Sequence, residues 1–245
     1  MEQAPTLDPK RRRRALAVLL LVTPVPLIGT TTAMVLFPDA AWAKALFAAA
    51  KVAILLVPLV WLWRVERVRP RLPRWRGFPW GEGMAAAHIT GVVIFIAILA
   101  AYFLVGERWI DTATMLEKIE QMGFDKKAVY LAGAVYWCTA NSLLEEYFWR
   151  WFVYLRLREV LPRTAVGAGV AVVVCGLLFT AHHVVALSVY FDARTTILAS
   201  LGVFIGGVTW SWIYGKYRNI YAAYVSHVWA DLAIFGIGWH LIFGA

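Results

Sequence analysis

Apolar residues fall into seven long runs along the chain, near 15–36, 41–63, 84–105, 129–155, 164–191, 195–215 and 220–245, with polar and basic residues gathered between them. A helix needs roughly 20 mainly apolar residues to cross a bilayer. The pattern therefore predicts an all-α fold, a polytopic transmembrane helical bundle of about seven spans, formed by residues 15–245 after a basic segment 1–14. The long connection is 106–128, where Met115, Ile119 and Met122 recur at helical spacing after Asp111, a candidate N-cap. A short surface helix is expected there, either a lid over a site or an amphipathic element lying on the membrane. In the sixth run Gly202 and Gly206 form a small-xxx-small step, expected to let a neighbouring helix approach, with dimerisation as the other use.

Composition agrees with this picture. The chain is 61% hydrophobic and 16% charged, with a mean hydropathy of +0.66, which leaves little material for a separate soluble domain. The net charge of +9 would raise the question of nucleic acid in a soluble protein, but here the basic residues line the connections between runs. With the N-terminus inside, internal connections hold 16 basic residues (Lys10 to Arg14; Arg64, Arg67, Arg69, Arg71, Arg74 and Arg76; Arg156, Arg158 and Arg163; Lys216 and Arg218). External ones hold 5: Arg108, Lys118, Lys126, Lys127 and Arg194. The positive-inside rule then places the N-terminus in the cytoplasm and the C-terminus outside, with no nucleic-acid partner. The run after Arg14 is long for a signal peptide and contains Pro24 and Pro26, so it is expected to persist as a span. Cys138 and Cys175 lie inside apolar runs at no metal-type spacing and are expected to be buried packing residues.

The candidate chemistry lies in residues that a bilayer excludes, since charge at mid-membrane is costly and usually faces a cavity or a partner. Glu145, Glu146, Arg150 and Asp231 are singled out on this ground, with His182, His183 and His227 beside them and Asn141 one turn before Glu145. Arg150 stands four residues after Glu146 and shares its face. Glu145 points about 100° away and is expected to stand without a cation of its own, the setting of a general base; the alternative is a structural salt bridge shared by both glutamates. His182 and His183 occupy different faces of one helix, so one of them is expected to reach a site. His227 and Asp231 share a face, as a metal pair or as a histidine with its orienting carboxylate.

Taken in order, Glu145-Glu146-xxx-Arg150, then Phe179-xxx-His183, then His227-xxx-Asp231 resembles the motif set of the CPBP family, the CAAX proteases and bacteriocin-processing intramembrane endopeptidases, over roughly 129–235. The resemblance implies peptide-bond hydrolysis in the membrane. Glu145 would activate water with help from His183, His227 and Asp231 would stabilise the oxyanion, and Glu146, Arg150, Phe179 and Asn141 would support them. It implies no required cofactor; zinc is the alternative, held by Glu145, His183, His227 and Asp231. The implied partner is a membrane-anchored protein or peptide, such as a leader, a bacteriocin precursor or a C-terminal sorting tail, met by a monomer or homodimer in the bilayer. The aromatic stretch after the glutamates, EEYFWRWFVYL, looks like a branch associated with C-terminal sorting signals, and the N-terminus and loops look like those of a bacterial inner-membrane protein.

Two features strain this reading. Position 231 is Asp where CAAX relatives carry Asn, and an ionised carboxylate cannot donate to an oxyanion, so Asp231 must be protonated, orient His227 or bind metal. By depth, Glu145 lies about 16 Å from Arg156 and His227 about 14 Å from Arg218, whereas His183 lies about 30 Å from Arg163. The fifth span must tilt or begin deeper for the groups to meet. A proton-coupled transporter is the rival reading, though no repeat is visible. A non-catalytic partner-binding or immunity protein is another.

Overall fold

The computed structural model describes residues 8–67, 81–110 and 112–244. The expected basic positions Arg69, Arg71, Arg74 and Arg76 and the candidate cap Asp111 lie outside them. Among the described residues the structure is helical, without strands. Six helices are long and apolar enough to cross a membrane: α1 (Pro9–Leu36), α2 (Ala41–Val65), α3 (Met84–Trp109), and α6 (Ala165–Tyr190), α7 (Ala193–Tyr217) and α8 (Ile220–Phe243). Between them come a short helix, α4 (Ala113–Gln121), and the continuous helical stretch α5, residues 127–160. That stretch contains the expected span 129–155, making about seven spans; it is less apolar because Glu145, Glu146, Arg150 and Arg156 lie on it.

Capping chemistry sets several boundaries. Asp8, Thr164, Asp192 and Asn219 each accept a backbone N–H of the helix that follows, and Pro9 supplies a prearranged first turn to α1. The run Lys10 to Arg14 is therefore the first turn of α1 rather than a flanking segment. The expected helix in 106–128 is α4, with Met115 buried and the helix packed on α6.

α5 is the axis of the bundle. It touches α1, α2, α6, α7 and α8, while α3 stands outside, packed chiefly along α8. A helix surrounded in this way is buried on all sides, and in Tyr147–Tyr154 every residue but Trp151 is buried. Two wide turns with i→i+5 hydrogen bonding, Trp137–Asn141 and Tyr147–Tyr154, flank the glutamates, a winding often found at functional positions. Tyr147 donates to the Leu55 carbonyl of α2 at 2.9 Å and Tyr130 to the Phe235 carbonyl of α8 at 2.6 Å, fixing α5 against both.

At the far end of α5 an ion cluster ties three elements. Arg11 meets Glu159 at 2.6 Å, Arg156 meets Glu159 at 2.9 Å, and Arg156 also pairs with Glu66 beyond α2. Arg156 was expected in an internal loop; it is buried in α5 because these carboxylates neutralise it. The small-residue step also differs from expectation. A side chain at Gly202 would meet nothing, and one at Gly206 would meet Trp210 of its own helix. The close crossing lies instead between Gly176 of α6 and Gly207 of α7, where a Cβ on Gly207 would sit 3.2 Å from the Gly176 Cα. Cys138 and Cys175 are free and buried, as expected.

Candidate functional site

Four helices bring their polar side chains to one place beside the middle of α5. The sealed part is built on Glu146 and Arg150, both fully buried, with Arg150 Nη1 3.1 Å from Glu146 Oε1. Arg150 also donates to the Gly207 carbonyl at 3.3 Å and lies over the rings of Phe179 (4.6 Å) and Trp210 (5.2 Å). Aromatic faces and a carboxylate thus replace the water that a buried guanidinium has lost.

Glu146 has a second partner that spacing along the sequence does not show. Its Oε1 lies 2.9 Å from His227 Nδ1. A carboxylate oxygen held by Arg150 accepts, so Nδ1 carries the hydrogen and Nε2 faces outward. The His227 ring is stacked on Trp210, centroids 3.8 Å apart and planes 14° apart, and the Trp210 indole N–H donates to Ser226 at 3.2 Å. His227 Nε2 ends 3.9 Å from Glu145 Oε2 and 3.8 Å from Asp231 Oδ1. Neither is a hydrogen bond. Asp231 therefore does not orient His227, as the sequence allowed; Glu146 does. Asp231 Oδ2 instead accepts from Ser142 Oγ at 2.5 Å, and Ser142 also lies 2.6 Å from the Trp137 carbonyl.

Glu145 is buried, and its Oε1 accepts from Asn141 Nδ2 at 2.9 Å. The expectation that it stands without a cation is not met: Lys51 of α2 donates to Asn141 Oδ1 at 2.7 Å and lies 3.9 Å from Glu145 Oε1. Lys51 is a residue that the motif reading missed. Its signal was present, as a lysine inside the second apolar run.

Both histidines of α6 reach the site, where one was expected. A nitrogen of His182, a nitrogen of His183 and a carboxylate oxygen of Glu145 lie within 4.8 Å of one another. The His183 Nδ1 donates to the Phe179 carbonyl at 3.0 Å, and the His182 ring lies parallel to Trp149, centroids 5.8 Å apart. These three residues could hold a metal ion, a different set from the one expected.

The difference in depth narrows because α5 runs on past Arg156, and Glu145 and His183 do meet. Measured from Val160, Glu145 is about 22 Å along its helix, and measured from Ala165, His183 is about 27 Å along α6. Arg156 lies inside α5, so counting from it shortened the helix on the Glu145 side.

The motif residues Glu145, Glu146, Arg150, Phe179, His183, His227 and Asp231 thus stand together, and all of them lie within 127–233, which matches the family model described as type II CAAX prenyl endopeptidase Rce1-like. The segment that carries the site is similar to the type II CAAX prenyl endopeptidases. The resemblance read from the three motifs, over 129–235, covers the same stretch. No curated protein and no solved structure matches the chain. Within the matched segment lie α5, α6, α7 and most of α8; Lys51 comes from outside it.

Proposed function

We propose that this protein is an intramembrane endopeptidase that hydrolyses a peptide bond in a membrane-associated protein or peptide by water activated at Glu145. One observation carries the reading. His227 Nε2 faces Glu145 Oε2 at 3.9 Å and Asp231 Oδ1 at 3.8 Å, while its other nitrogen is tied to Glu146. An oxygen atom placed between His227 Nε2 and Glu145 Oε2 is within reach of a base on one side and, once the imidazole is protonated, an N–H donor on the other.

In this mechanism Glu145 Oε2 takes a proton from water as it attacks the scissile carbonyl. His227 Nε2, when protonated, donates to the developing oxyanion, and Glu146 with Arg150 keeps the ring aimed. His183, with Nδ1 committed to Phe179, presents Nε2 as an acceptor that steadies the same water. Asp231 marks the open rim, where 23% of its side chain is exposed. A transmembrane substrate must reach the site as extended backbone, so a helix end or an unwound tail is the form cleaved. A leader, a bacteriocin precursor or a C-terminal sorting tail fits that requirement. With basic connections inside, the Arg11–Glu159–Arg156 end faces the cytoplasm of a bacterial inner membrane.

The test is to compare protein termini by quantitative mass spectrometry in membranes of cells carrying wild-type protein or Glu145→Ala at equal abundance. General base catalysis contributes about 10²–10⁴-fold, so termini generated by the wild type should vanish with the variant. Identical termini would remove hydrolysis and leave a proton relay through the same carboxylates and histidines as the reading to pursue.

A further inference from the structure

Lys51 is the site's least expected member. It lies inside α2, a 25-residue apolar helix, where an ammonium ion is costly unless it snorkels to the interface or finds a partner. Its side chain is 30% exposed, yet Nζ turns inward to Asn141 Oδ1 at 2.7 Å.

That contact has a consequence for Glu145. An ammonium only donates, so the amide of Asn141 must turn its oxygen to Lys51 and its NH₂ the other way. The NH₂ then meets Glu145 Oε1 at 2.9 Å, and the Lys51 charge, 3.9 Å away, favours the same oxygen. The two oxygens of Glu145 become unequal. Oε1 is held from the α2 side, and Oε2 is the one turned toward His227.

We propose that Lys51 is a positioning residue for Glu145, which grips it through Asn141 so that Oε2 is the oxygen presented to water and substrate. The inference rests on the hydrolytic reading above, because it assigns the working oxygen of that reaction. Lys51 touches no reacting atom in this scheme. A lysine that merely snorkels would be energetically independent of Glu145, so coupling between the two is the discriminating quantity.

The experiment uses the full chain, purified and placed in lipid nanodiscs, as wild type, Lys51→Met, Glu145→Gln and the double variant. Thermal midpoints of the four form a cycle that needs no activity. Lys51→Met should lower the midpoint where Glu145 is present and lower it clearly less in the Glu145→Gln background. With a substrate identified from the terminus comparison, Lys51→Met should lower kcat by about 10- to 100-fold, the range for partners that orient catalytic groups. KM should stay within about twofold, since uniform binding is not touched. Lys51→Arg, which keeps a donor-only cation, should recover most of kcat.

Additive midpoints would overturn the grip, as would a loss confined to KM or an arginine variant no better than methionine. If the midpoints couple but hydrolysis is absent or survives Glu145→Ala, the hydrolytic reading falls and the Lys51–Asn141–Glu145 grip stands.

Discussion

Arg150 is the residue whose loss should be felt most widely. It is fully buried, it neutralises Glu146, and Glu146 aims His227. Arg150→Met should therefore cost about 3–5 kcal/mol, the usual penalty for leaving one member of a buried ion pair, read as a lower unfolding midpoint in detergent. Replacing both charges, Glu146→Gln with Arg150→Met, should restore much of that stability while activity stays lost, because a neutral amide no longer fixes the His227 ring. Trp210→Leu removes the stacked face beneath His227 and should lower turnover about 10- to 100-fold, with Trp210→Phe much milder. The motif residues were legible in sequence because a bilayer makes every buried charge conspicuous. Glu146–His227, Ser142–Asp231 and Trp210–His227 were not, since each joins different helices and no spacing rule relates them. Lys51 could have been found by counting. Of 24 basic residues, 16 and 5 were assigned to the two sides and Arg150 to the site, and the remainder, Lys44 and Lys51, both fall in the second apolar run.

At the scale of single helices, the sequence marks beginnings better than contacts. Thr164, Asp192 and Asn219 are residue types favoured at N-caps, and each performs that function here. Asp192 lies between α6 and α7, and the backbone N–H of Thr195 holds its carboxyl below the ordinary range. Its stabilisation is thus complete above about pH 4 and lost as pH falls through the lowered folded value. Asp192→Asn, which still caps but does not ionise, should flatten that part of the stability curve in acid titrations. Charges misled about where helices end, since Arg156 and Lys10 to Arg14 look like loop residues until Glu66 and Glu159 are placed beside them. The two glycine steps make a clean comparison. Gly207→Leu forces apart the crossing of α6 and α7 and should cost about 1–3 kcal/mol, whereas Gly202→Leu meets nothing and should stay within about 0.5 kcal/mol; thermal unfolding of the two side by side decides it.

For the molecule as a whole, span number followed from apolar runs alone, but the arrangement around α5 did not, because apolar faces in a membrane carry no preference among neighbours. Helices far apart in sequence are joined at the α5 terminus by Arg11, Glu66, Arg156 and Glu159. Arg156→Ala should leave two carboxylates facing each other there, at a cost of roughly 3 kcal/mol, and should raise hydrogen exchange along the first turns of α1 more than in α7. The site itself draws on α2, α5, α6 and α8, and His227 and Asp231 come on the last of the described helices. During synthesis Glu145 enters the membrane some eighty residues before His227. A half-made chain therefore holds the attacking group without the partner that Glu146 is built to aim. Under the hydrolytic reading such a chain is harmless to its neighbours, and competence arrives only when the helix that carries His227 docks.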